Sequence, residues 1–210
     1  MPLALSLNRS ISETSMLKGL SRSMTSKATK SSPNGGQKVA ASSRNPTLYG
    51  SPVIETEKPI IRCWVDAATS TRMVAVVIES EREYQVFRLK PDWKSDGRDI
   101  NWMEAITFEL LASFLLARQY TGRVLVNSDS TAAISTFAGS GGRSRHLREV
   151  GSRLRRQSSE WPFIMRAQLV KGRANIADPF SRGRAQEGYK KSEFLVEIPH
   201  ELKRFVSNEE

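Results

Sequence analysis

Four acidic side chains stand where an uncompensated charge is costly. Asp66 ends the apolar run IIRCWVD, Glu104 sits in INWMEAITFELL, Asp129 follows RVLVNS, and Asp178 lies in NIADPFSRG. A carboxylate at the tip of a buried strand costs several kcal/mol unless a partner or a cation neutralises it. Acids drawn from separate elements suit a pair of divalent ions, because each Mg²⁺ takes hard oxygen ligands in octahedral geometry. Each acid also has a plainer use. Asp66 can open a turn, Glu104 can complete a capping box, Asp129 can cap the helix after it, and Asp before Pro commonly opens turns. Their joint placement is what points to chemistry.

The elements that must carry these acids follow from apolar periodicity. Residues 60–66 read as a buried strand, 72–79 (RMVAVVIE) as a second, and 84–89 (YQVFRL) as a third; the short links TST and SERE predict an antiparallel meander. Asn101 is expected to cap a helix over residues 102–120, apolar nearly all round and so sandwiched between other elements. Thr121-Gly122 stops it, and the strand running to Asn127 follows. Helices over 130–137 and 146–158, a strand over 163–170 and a short helix over 174–182 complete the order. Strands and helices interleaved in this way predict a mixed α/β fold, one sheet with helices against it.

Composition bounds the partners. The chain has 210 residues, 32 Lys and Arg against 22 Asp and Glu, and a formal charge of +10. That balance favours polyanions, either nucleic acid or an anionic membrane surface. The excess is local: residues 59–140 hold 9 basic and 10 acidic side chains, whereas 141–191 hold 13 and 4. One cysteine, Cys63, excludes an internal disulfide framework and a cysteine-rich zinc site, and it fits a reducing intracellular compartment, cytoplasm or nucleus. No run of eighteen apolar residues occurs, so no membrane span is expected. Residues 1–58, rich in Ser, Lys, Gly and Pro, are expected to be a disordered basic tail, with a mitochondrial transit peptide as the lesser alternative. The domain is expected over 59–191, with 192–210 as an extension.

Four stretches, CWVDAAT, INWMEAITFELLA, VLVNSDSTAAI and VKGRANIADPFSRG, together resemble the ribonuclease H domain of reverse-transcribing elements. The last, with N-x-A-D-P-x-S-R-G, is similar to the tail of that domain in fungal and DIRS-like retrotransposons and in hepadnaviruses, and GGRSRHLREV resembles a Gly-Arg-Ser-Arg stretch of the same retrotransposon domains. The likeness covers about residues 60–184. It implies a ribonuclease H-like fold, with a mixed five-stranded sheet in which an antiparallel meander is followed by parallel strands. It implies hydrolysis of the RNA strand of RNA–DNA hybrids, with two Mg²⁺ ions, or Mn²⁺ in their place, held by Asp66, Glu104, Asp129 and Asp178. A reverse-transcriptase polymerase domain is the implied protein partner. Glu109 is the alternative to Glu104: the INWME context favours Glu104 and ELLAS favours Glu109, and five helical positions turn them about 140° apart. The mobile histidine that many such enzymes carry before the last helix is replaced here by the link KGRAN, with Lys171 and Arg173; His146 and His200 lie elsewhere and are expected at the surface.

Arg143, Arg145, Arg148, Lys171, Arg173 and Arg182 are the candidate nucleic-acid contacts, with Arg153, Arg155 and Arg156 on the same basic helix. Trp64, Trp102, Trp161 and Phe180 are expected in the core, with base stacking as the alternative. Two other functions compete. One is a catalytically idle, nucleic-acid-binding fragment of a retroelement polymerase; the other is a different nuclease or strand-transfer enzyme of the same fold.

Overall fold

The computed structural model describes residues 60–140 and 144–208; the expected tail over 1–58 and Arg143 lie outside the described residues. Three strands, β1 (Ile60–Ala68), β2 (Met73–Ile78) and β3 (Glu83–Leu89), pair antiparallel in sequence. Their two turns carry Arg72 (φ 59°) and Arg82 (φ 49°) in the left-handed conformation that lets so short a link reverse the chain. Helices α1 (Ile100–Ala105) and α2 (Thr107–Ala117) follow, and then β4 (Gly122–Ser128) returns parallel to β1. After α3 (Thr131–Phe137) and α4 (Arg145–Ser158), β5 (Phe163–Leu169) pairs parallel to β4.

The five expected strands are therefore present, in the order β5-β4-β1-β2-β3, as a meander followed by parallel strands. Short strands β6 (Lys190–Lys191) and β7 (Val206–Asn208) both pair with β3 and bring the mixed sheet to seven.

Alternation along β1 divides the two faces of the sheet. Cys63, Val65 and Ala67 join the large core with Met103, Ile106, Phe108, Leu111 and Phe114, whereas Trp64 packs with a small cluster of Ala75, Val77, Ala177 and Phe180. Burial pushes the Cys63 thiol well above its ordinary range, so it stays a neutral core residue. Trp102 and Phe180 are likewise buried, whereas Trp64 and Trp161 are half-buried.

Four expectations need correction. The helix over 102–120 is two helices: at Ile106 the backbone turns, and the Thr107 hydroxyl donates to the Glu104 carbonyl (2.6 Å), a local bond that competes with a straight helix. Asn101 is not the cap; the Asp99 carboxylate accepts from the Trp102 backbone N–H (3.1 Å), so Glu104 is not a capping-box partner. The final helix shrinks to a 3-10 turn, Gly172–Ala174, and a single-turn helix α5 (Asp178–Ser181). His146 is half-buried, its Nε2 3.1 Å from the Asp96 carbonyl; His200 is exposed as expected.

The stretch after residue 191 is more than a loose addition. Val196, Ile198, Leu202, Phe205 and Val206 enter the same core as α1 and α2. Residues Ile100–Ala117 are long and apolar enough by composition to cross a membrane, but 72% of that stretch is buried inside the fold, as befits a core helix pair.

On the first turn of α2, Glu109 is wholly buried and meets Arg153 of α4 through two hydrogen bonds, 2.9 and 3.0 Å. Removing one partner leaves a buried charge without compensation, which costs about 3–5 kcal/mol. Arg153→Met is expected to lose that much in urea unfolding, and Glu109→Leu combined with Arg153→Met to recover most of it.

Candidate active site

Parallel pairing of β1 with β4 sets the geometry. Trp64 lies opposite Asn127, so two residues further along Asp66 and Asp129 reach the same level at the C-terminal ends of the two central strands. Asp66 points to the face that α5 covers, where Ser181 donates a short hydrogen bond to its Oδ2. Between the two acids lies a residue not singled out from the sequence. The Asn175 side-chain amide donates to Asp66 Oδ1 (3.2 Å), to Asp129 Oδ1 (3.1 Å) and to the Val65 carbonyl (3.0 Å). Its own Oδ1 accepts from the Ala177 backbone N–H (3.1 Å), which locks the amide orientation.

Neither Asp129 nor Glu104 is spent on helix capping. Ser130 caps α3, its hydroxyl accepting from the Ala133 N–H (3.2 Å), and Asp99 caps α1. Glu104 comes from the opposite face, at the end of α1, and its Oε2 is buried without a hydrogen-bond partner. Asp66 and Asp129 are the charges it feels most strongly after burial itself. Glu109 is elsewhere, in its ion pair with Arg153, so of the two candidate glutamates Glu104 is the one beside the aspartates. Asp178 sits at the rim, half-exposed, held by Arg182 (2.7 Å) and Arg184 (3.5 Å).

Electrostatics follow from this crowding. Burial pushes the Asp66 carboxyl up to about 6; the Ser181 hydrogen bond opposes the shift, and Asp129 and Asp178 add to it. Burial, then Asp66 and Asp129, push Glu104 up to about 9, against a hydrogen bond from the Ala67 backbone.

The all-oxygen donor set suits a hard divalent cation, and the partnerless Glu104 Oε2 and the mutual repulsion of the acids are what such a cation would relieve. The acids nevertheless do not form a closed cage. Among the described residues no group of three or more His, Cys, Asp and Glu side chains is arranged to hold a metal ion. Asn175 spans Asp66 and Asp129, and arginines engage Asp178.

The basic candidates divide between two places. Lys171 and Arg173 are exposed on either side of Gly172, where an added Cβ would lie 2.9 Å from Asp129 Oδ2; only glycine lets the backbone come so near that carboxylate. Arg182 also belongs beside the acids, through Asp178. Arg145 and Arg148, with Arg153 and Arg156, line a separate groove along α4.

No family model, curated protein or solved structure matches this chain. Ser181, Asn175 and Gly172 were legible only as parts of KGRANIADPFSRG. That motif's polar spacing was the available signal, since Asn175 and Ser181 flank Asp178 at three residues on either side.

Raised carboxyl values make stability depend on pH. Unfolded, Asp66 and Glu104 would ionise near 3.8 and 4.5; folded, they hold their protons to about 6 and about 9. The folded state thus binds more protons between those limits, and stability falls as pH rises from about 4 to 9. In EDTA, Glu104→Gln is expected to flatten the upper part of that slope and to stabilise the protein at pH 7.5 by on the order of 2 kcal/mol, read from urea midpoints across the pH range.

Proposed function

We propose that this chain is a metal-dependent endonuclease of ribonuclease H-like fold that hydrolyses the RNA strand of RNA–DNA hybrids, derived from a retroelement reverse transcriptase. One observation carries it: Asp66 and Asp129 share the Asn175 amide at the C-terminal ends of β1 and β4, with the unsatisfied Glu104 carboxylate beside them. Structural carboxylates are normally neutralised in place, as Glu109 is by Arg153. A buried acid left without a countercharge among like charges, with one oxygen unsatisfied, marks a site that something else completes. Four acids in four separate motifs, together with strand order, support the family reading.

Asp66, Glu104, Asp129 and Asp178 would hold the ions, Mg²⁺ or Mn²⁺. When bound, such a pair supplies Lewis acidity toward the scissile phosphate and a more acidic water. The chain's own residues do the rest. Asn175 and Ser181 fix the two Asp66 oxygens in one orientation. Glu104 would hold an ion in its ionised form, its proton released to solvent. Arg182 and Arg184 steady Asp178 at the solvent edge. Lys171 and Arg173, exposed beside Asp129, face incoming phosphates, with Arg145 and Arg148 of α4 as further backbone contacts. Selection of the hybrid over double-stranded DNA would use the 2′-hydroxyls of the RNA strand.

A second reading, an idle nucleic-acid binder, is favoured by one feature: the Asn175 amide already bridges the two aspartates. One experiment separates the two. Labelled hybrid, double-stranded RNA and double-stranded DNA are incubated with the full chain in Mg²⁺ or EDTA. Cutting of the hybrid's RNA in Mg²⁺ alone is expected. Asp129→Asn is expected to reduce it at least ~10²-fold, since a lost ligand forfeits several kcal/mol of charge stabilisation, while the circular dichroism spectrum stays unchanged. Binding without cutting supports the idle protein, and cutting of DNA supports another nuclease of this fold.

A further inference from the structure

A groove of about 810 Å³ lies between the start of α1, the outer face of α4 and the turn over residues 200–205, and none of the four site acids lines it. Seven of its lining side chains are Lys or Arg and two are Glu. At its floor is Arg98, whose side chain is only 3% exposed. The guanidinium lies against the rings of Trp102 (4.9 Å) and Phe205 (3.8 Å), and one Nη donates to Asp96. Its Nε–H is buried and has no acceptor. A charged donor left so is expensive, and proteins rarely keep one without use.

Around it the positive charges crowd one another. Burial, and next the guanidinium of Arg204, pull Arg98 down to about 10, with Arg153 and Arg145 adding to the effect against Glu149. Much of the surrounding charge is already engaged: Arg145 with Glu149, Arg156 with Glu201, and Arg153 with Glu109. Arg148 and Arg204 are engaged within the protein as well, Arg204 over the Phe205 ring (4.3 Å), yet both remain exposed at the mouth. A group entering here meets exposed guanidinia at the rim, with the unused Arg98 N–H buried beneath the floor.

We propose that this groove is a phosphate-binding site anchored on Arg98, with Arg148 and Arg204 closing on the anion from the mouth. Guanidinium forks match phosphate oxygens in pairs, and a tetrahedral dianion can accept from several donors at once. The phosphate belongs either to a nucleic-acid backbone or to a small phosphorylated molecule. The site shares Arg148 with the backbone contacts of the proposed function, but phosphate binding in EDTA tests it apart from any cleavage.

The test is calorimetric titration of the full chain in EDTA with inorganic phosphate, against sodium chloride at equal ionic strength, and in parallel with a short RNA–DNA hybrid. Saturable phosphate binding is expected, weakened at least tenfold in the exposed double variant Arg148→Ala/Arg204→Ala with its melting temperature retained. Arg98→Gln, if it folds, is expected to abolish binding. An equal loss for the hybrid assigns the phosphate to a nucleic-acid backbone; loss of phosphate binding alone assigns it to a small ligand. Phosphate heats no larger than those of chloride, or a double variant that binds as tightly as its parent, would overturn the site.

Discussion

Like charges held close together are the constraint on which this structure turns. Parallel pairing of two central strands brings Asp66 and Asp129 to the same edge of the sheet, and helices on opposite faces deliver Glu104 and Asp178 to it. In water such a gathering would disperse. Here the strands cannot move apart without breaking the ladder, so the repulsion is carried by shifted protonation and by one amide, that of Asn175. Polar groups around the edge are committed in detail: Ser181 to Asp66, Ala67 to Glu104, and two arginines to Asp178.

The two neighbouring glutamates show how burial sorts one residue type into two roles. Glu109 and Glu104 are both nearly inaccessible and lie on adjoining helices. α4 supplies Arg153 to the first and nothing to the second. Five positions apart along the helix pair, they point in different directions, one to α4 and the other to the end of β1. A neutralised acid contributes to the core; an unneutralised one, among other acids, keeps its proton to higher pH.

α4 itself serves two masters. Leu147, Val150, Gly151 and Leu154 face inward, and Gly151 sits where an added Cβ would be 3.0 Å from the Thr136 carbonyl, which lets α3 and α4 approach. The opposite face carries arginines. The stretch from 196 to 206 closes over the other side of that face, so the basic groove exists only because the last residues return to the core of the sheet.

Much of this was legible in the sequence. Apolar periodicity and short links marked all five long strands and their meander, because burial on one or both faces leaves a local signature. Asp66 and Asp129 were visible as charges at the ends of apolar runs, Glu104 inside an apolar helix pattern, Asp178 within NIADPFSRG, and α4's basicity as a run of arginines. What local pattern could not reach was anything made by distant partners. Asn101 and Asp99 are equally good caps on paper, and only the backbone direction at the start of α1 selects Asp99. Glu104 and Glu109 differ only in what α4 and β1 bring to them. Asn175, 46 residues beyond Asp129 and 109 beyond Asp66, becomes their common donor through the strand crossing alone. The chain's residue types thus determined which chemistry was available, since charge, burial and period are local properties. Tertiary structure decided which acids share a site and which is silenced, because electrostatic energy depends on through-space distance and not on position along the chain.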